Sequence, residues 1–220
     1  MLTVTVDGVA TTHALAGISS IDVAGTSLTI DPSAGSFTGL ISFNGATLAI
    51  VHGTGASDWT VNGDGTGSVA GGGVTSVTFS HVSHISAGGS ADTLHGPGAN
   101  SDWTISGANA GNVAGTTFDG FENVVGATNN KDTFTVAPTG SISGVIDGGD
   151  AGFDSLVVAG HRGSVVSNPK GPHSGTLVLD GTILTYAGLE PIDVSGTDIV
   201  YNGADLGTST EVLEIGRAHV

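Results

Sequence analysis

Two stretches decide how this chain is to be read: Ser57-Asp58-Trp59-Thr60-Val61-Asn62-Gly63 and Ser101-Asp102-Trp103-Thr104-Ile105-Ser106-Gly107. They hold the two tryptophans of the chain and stand 44 residues apart. A fixed internal period identifies a stacked architecture before any single motif does. Downstream, Phe79, Val82, His84 and Ile85 fall opposite Phe118, Phe121, Asn123 and Val124, and Asp92-Thr93-Leu94 matches Asp132-Thr133-Phe134, with Asp154-Ser155-Leu156 as a third relative. The unit is about forty residues long, with related copies at 57–100 and 101–145, and its length variations fall in Gly/Asn-rich turns such as Ala70-Gly71-Gly72-Gly73 and Thr128-Asn129-Asn130. A longer period lies over this one: the stretch 2–30, with Val6-Asp7-Gly8 and Ile21-Asp22-Val23, recurs at 176–203 as Leu179-Asp180-Gly181 and Ile192-Asp193-Val194.

The apolar residues come in short β-branched runs such as Leu2-Thr3-Val4-Thr5-Val6 and Thr176-Leu177-Val178-Leu179, and no segment sustains a helical period. Val, Ile, Leu and Phe make up 57 of the 220 residues, enough to bury a core despite 38 glycines. The expected class is all-β. Within it, Gly-rich corners and matched lone Asn residues favour a right-handed parallel β-helix or β-solenoid of imperfect repeats, each short strand pairing with the one a coil earlier. At about 4.8 Å per strand, nine or ten coils give a rod roughly 45 Å long. The alternative is a run of tandem β-sandwiches.

Four Lys and Arg against twenty Asp and Glu give a formal charge of −16. Such a surface repels phosphate backbones and anionic membranes, so neither nucleic acid nor membrane insertion is expected. With no cysteine, disulfides and thiolate chemistry are excluded, and stability has to come from the stacked core. The first residues lack the basic start and apolar middle of a signal peptide, and the chain reads as an excised piece of a longer parent. Glu214-Ile215-Gly216-Arg217-Ala218-His219-Val220 breaks the local composition and resembles a translated sequencing adapter. The reading is therefore a single repetitive fragment over 1–213 from a truncated metagenomic sequence, with a non-native tail at 214–220; a natural terminal strand is the alternative.

Phe121-Glu122-Asn123-Val124-Val125-Gly126 followed by Asn130-Lys131-Asp132-Thr133-Phe134 resembles the units that flank hemolysin-type (repeats-in-toxin) calcium-binding rolls in large secreted bacterial adhesins. Gly148-Gly149-Asp150-Ala151-Gly152-Phe153-Asp154-Ser155-Leu156 is similar to a degenerate calcium nonapeptide. The resemblance covers about half of the chain. It implies an extracellular or cell-surface location, a role in extension or display, and neighbouring repeats of the parent chain as first partners. It also implies calcium as an optional ligand, with Asp150 and Asp154 as the residues of choice and Asp147 nearby. Calcium requires six to eight oxygens from facing turns, and the competing reading is that these Asp and Gly residues build tight turns.

Asp92, Asp132 and Asp154 each precede Thr or Ser and an apolar residue, a placement that suits a corner carboxylate accepting backbone N–H groups where a strand begins. His84 stands opposite Asn123 and reads as a corner or ladder residue, and its spacing from His81 puts the two on opposite faces of a strand. Trp59 and Trp103 suit a periodic core; exposed on one face they would form a stripe for host or matrix glycans. Aromatics are 5% of the chain and the conspicuous acids recur with the repeat, so no enzyme is expected. A polysaccharide-binding or polysaccharide-degrading β-helix is the catalytic alternative. The basic segment His161, Arg162, Lys170, Pro172, His173 is nonrepeating and reads as a surface loop.

Overall fold

The computed structural model describes residues 2–14, 17–34 and 37–202; the tail at 214–220 lies outside them. Among the described residues every named element except a 3₁₀ turn at Pro32–Ala34 is a β-strand, as the alternating pattern requires. A hairpin opens the chain: β1 (Leu2–Val6) and β2 (Val9–His13) turn through Asp7-Gly8, whose φ values of 50° and 81° suit a two-residue hairpin turn. Next come β3 (Ser20–Ala24), β4 (Ser27–Ile30), β5 (Phe37–Asn44) and β6 (Thr47–Ile50).

A three-stranded meander follows, β7 (Ser57–Val61), β8 (Gly67–Gly71) and β9 (Val74–Ser80), then β10 (His84–Ala87) and β11 (Thr93–His95). The same succession repeats as β12 (Asp102–Gly107), β13 (Ala110–Val113), β14 (Thr116–Asp119), β15 (Asn123–Val125) and β16 (Thr133–Val136). Two single strands, β17 (Val145–Asp147) and β18 (Ser155–Val158), lead to a third meander, β19 (Arg162–Gly171), β20 (Ser174–Leu179) and β21 (Thr182–Ala187). The last strands are β22 (Ile192–Asp193) and β23 (Gly196–Tyr201).

All of these strands belong to two large mixed sheets. The first runs β2-β1-β4-β6-β10-β14-β13-β12-β16-β18-β22, and the second runs β23-β19-β20-β21-β17-β15-β11-β7-β8-β9-β5-β3. The expectation that each strand pairs in parallel with its predecessor one coil earlier is corrected here. Parallel pairs such as β4 with β6 and β16 with β18 do exist, but each meander inserts two antiparallel pairs. The turns explain why. Gly71, Gly72 and Gly73, Ala114-Gly115, and Asp180-Gly181 all adopt positive φ, which reverses the chain within its own sheet instead of carrying it across to the other.

Pairing defines a five-strand unit. Its first strand lies parallel to its fifth (β7 with β11, β12 with β16, β19 with β23). Its third lies parallel to an earlier strand (β9 with β5, β14 with β10, β21 with β17). The two tryptophan copies occupy opposite sheets, so a shift of one unit exchanges the faces. The segment with Arg162, Lys170 and His173, expected to be a surface loop, forms the β19–β20 hairpin of a third unit. Arg162 is buried, and its guanidinium donates to the carbonyls of Ala137 and Pro138 at 3.0 and 2.9 Å.

One hydrophobic core draws on both sheets. Inside it Trp59 meets Phe121 edge-on at 5.6 Å, and Trp103 stacks on Phe134 at 5.1 Å. Glycines within strands are part of that packing: a Cβ at Gly67 would collide with the Phe79 ring, and one at Gly111 with that of Phe118. On the outer face of the first sheet a continuous register row runs Ser27, Thr47, His84, Thr117, Asn112, Thr104, Thr135, Val157, Asp193. At about 4.8 Å per step, those nine strands span roughly 38 Å.

Candidate functional site: the carboxylate corners

The acids that recur with the repeat converge on the points where parallel strands start. Asp92, immediately before β11, is fully buried. Its Oδ1 accepts the Ser57 amide at 2.7 Å and the Ser57 hydroxyl at 2.6 Å, and its Oδ2 accepts the Gly89 amide at 3.0 Å. Its own N–H donates to Glu122 Oε2 at 2.8 Å. Asp132, before β16, repeats the arrangement. Oδ1 accepts the Ser101 amide and hydroxyl, both at 2.8 Å, Oδ2 accepts the Ala127 amide at 3.2 Å, and the Asp132 amide donates to Asp154 Oδ1 at 2.7 Å.

Two equivalent rails result, Ser57–Asp92–Glu122 and Ser101–Asp132–Asp154. The first member of each is the serine of the Ser-Asp-Trp motif. The structure therefore assigns the matched aspartates as backbone acceptors, and it adds Ser57, Ser101 and Glu122, which pattern reading did not single out. The signal for the serines was present in their invariant place two residues before each tryptophan. In the first unit Trp59 Nε1 also donates to Ser57 Oγ at 2.7 Å. The Trp103 indole N–H is buried with no acceptor among the described residues, so this detail is not shared between units.

Both tryptophans are 0% exposed. The glycan stripe expected as an alternative for Trp59 and Trp103 is corrected accordingly, because neither ring can reach a sugar without opening the core.

The three acids proposed for calcium have separate tasks. Asp147 Oδ1 accepts the Gly149 amide at 2.9 Å within a tight turn, Asp150 is exposed and its carbonyl accepts the Asn129 amide, and Asp154 is buried at the end of its rail. Among the described residues no three acidic or histidine side chains are grouped so as to share a metal ion. Burial pushes the Asp154 carboxyl above its ordinary range, and the charges of Asp132 and Asp147 push it further against the lowering effect of the Asp132 amide.

Histidines pair outward with acids: His84 Nε2 lies 3.0 Å from Asp119, His52 Nδ1 3.1 Å from Asp31, and His173 Nδ1 2.6 Å from Glu190. His81 sits in a turn at φ 60° instead of on a strand, so the expected strand alternation with His84 does not apply. His84 Nδ1 also lies 2.9 Å from Thr117 Oγ1, giving the order hydroxyl, imidazole, carboxylate. The Thr117 hydroxyl, however, donates to the Ser83 carbonyl at 3.0 Å, and the cluster lies on the outer row of the first sheet.

Comparison with family models, curated proteins and solved structures gives no match.

Proposed function

We propose that this chain is a non-catalytic structural and display module of a large extracellular bacterial surface protein or adhesin. In this reading the two sheets are the faces of a right-handed β-solenoid whose coils carry antiparallel excursions. One observation carries it: the residues with the most chemical potential, the recurring buried carboxylates, are occupied in holding backbone amides at the corners of successive strands. Buried N–H groups need such partners, and a row of them along one axis makes the stack stiff. Two open depressions, one lined by Asp22, Phe43 and Phe79 and the other by Asn62, Pro97 and Asn112, carry a single carboxylate each, Asp22 and Asp102. That suits a spacer better than a glycosidase, which needs a pair.

Single-molecule pulling between handles at residues 20 and 201 tests the mechanical role. A spacer unfolds in discrete cooperative steps that release, in total, about 600 Å of chain at roughly 3.5 Å per residue; smooth extension at low force would contradict it. The calcium-dependent folding module remains the rival, because Gly148–Leu156 is similar to a degenerate calcium nonapeptide. Thermal melts with calcium and with chelator separate the two. The spacer reading expects coincident melts, and a calcium-dependent rise would transfer the conclusion to the rival.

A further inference from the structure

The three five-strand units differ on their outer faces at equivalent register positions. In the first unit the row reads His95, Thr60, Ser68, Thr78, and in the second Thr135, Thr104, Asn112, Thr117. The third reads Val200, Val166, Val178, Ile183. A polar row has become a four-strand apolar ladder about 14 Å wide. Ile183 is 62% exposed and Val200 41%, while the inward residues Leu177, Leu179 and Leu184 of the same strands are buried. Burial in this chain's own core thus does not account for the ladder. Contiguous outward apolar side chains with polar margins mark contact surfaces.

The margins identify the occupant. One step along the strands on one side lie the exposed carboxylates of Asp180 and Asp198, and two steps along on the other side lies exposed Lys170. A two-fold axis running along the ladder sets the acidic margin of one molecule against the basic margin of the other, ladder on ladder. We propose that the outer face of β23, β19, β20 and β21 is a lateral self-association surface that takes a second copy of this chain, sheet against sheet. The patch is small beside a standard interface of ~800 Å² per partner, so the dimer is weak and concentration-dependent. Such contacts would let parallel rods bundle side by side. The spacer function proposed above does not depend on it.

Sedimentation velocity of the full chain over a concentration series tests the proposal. The weight-average mass should rise from 21.4 kDa toward twice that value, and more readily in moderate salt, which screens repulsion between two copies of charge −16. Val166→Thr with Val178→Thr restores the polar row of the other units and should weaken association by about tenfold or more; Lys170→Glu, which leaves the ladder intact, should weaken it as well. Circular dichroism checks that both variants fold. A chain that stays monomeric throughout overturns the proposal, as does association unchanged in the folded variants, which would locate the contact elsewhere. Either result leaves the pulling experiment, and the spacer reading, untouched.

Discussion

Replacing Asp92 by alanine strikes a corner that one buried side chain holds together. The substitution removes one acceptor group from three donors: the amides of Ser57 and Gly89 and the hydroxyl of Ser57. All of this lies at a residue with no solvent exposure, so water cannot replace the carboxylate without opening the corner. Each buried donor left unpaired costs about 1–3 kcal/mol. Three such donors sum to about 3–9 kcal/mol, and relief from desolvating the carboxylate offsets part of it, leaving a net cost of about 3–5 kcal/mol. For a chain of this size each kcal/mol lowers the melting temperature by about 2–4 °C, so Asp92→Ala should melt on the order of 10 °C below the native chain. Asp58→Ala provides the control: its side chain is 77% exposed and its nearest partner, His95, lies 3.8 Å away, so its melting point should move by no more than about 2 °C. Calorimetry on both variants decides. A melting point for Asp92→Ala within 3 °C of native, or equal to that of Asp58→Ala, would refute the assignment of these acids as structural acceptors.

Asp154→Asn keeps an oxygen for the Asp132 amide while removing the charge that burial, Asp132 and Asp147 oppose. Because the folded-state pKa of Asp154 lies above its unfolded value, its ionisation costs stability as pH rises through the window between the two. The asparagine variant should therefore melt no lower than the native chain at pH 7 and show a flatter profile across that window, as circular dichroism melts over a pH series would record. Asp64 has the opposite sign. The Thr66 hydroxyl and amide hold its pKa below 3.8, so its contribution is present above that value and fades as pH falls through the folded pKa; Asp64→Asn should reduce the acid-side loss of stability in the same titration. Gly67→Ala forces a methyl against the Phe79 ring and the Thr60 carbonyl and should cost about 1–3 kcal/mol in a denaturant melt. Adding Phe79→Leu should recover part of that loss, since the third unit pairs Leu177 with Leu184 at the same positions.

The all-β class and the buried tryptophans were legible because period-two alternation and a 44-residue echo are local signals. Asp92, Asp132 and Asp154 could be read as corner acceptors for the same reason: each stands directly before a β-branched or hydroxyl residue and an apolar one. Strand direction was not legible. Whether Val69 continues a parallel stack or returns antiparallel beside Trp59 depends on the turns at Gly63 and Gly71, and hydrophobic alternation is blind to that choice. Asp7-Gly8 and Asp180-Gly181 were noticed as a recurrence, yet their physical content is a hairpin turn with both residues at positive φ. The third unit was hidden because its fold survives while its markers do not: Val165 stands where Trp59 does, and Leu177 and Leu184 replace the glycine–phenylalanine pair. Glu122 was read as part of a family-like motif, whereas its position one residue before β15 makes it the equivalent of Asp154.

The through-going ladder of the proposed solenoid is open to one direct distance measurement, helped by the absence of native cysteine. Spin labels on Thr47→Cys and Val157→Cys sit on the same outer row of the first sheet, separated by the steps through His84, Thr117, Asn112, Thr104 and Thr135. Six steps of about 4.8 Å place the two backbone sites roughly 29 Å apart. Double electron–electron resonance should return a single narrow distribution near that value, allowing for the label arms. A broad distribution, or a mean displaced by more than about two strand spacings, would contradict a continuous stack running from β6 through the second unit to β18.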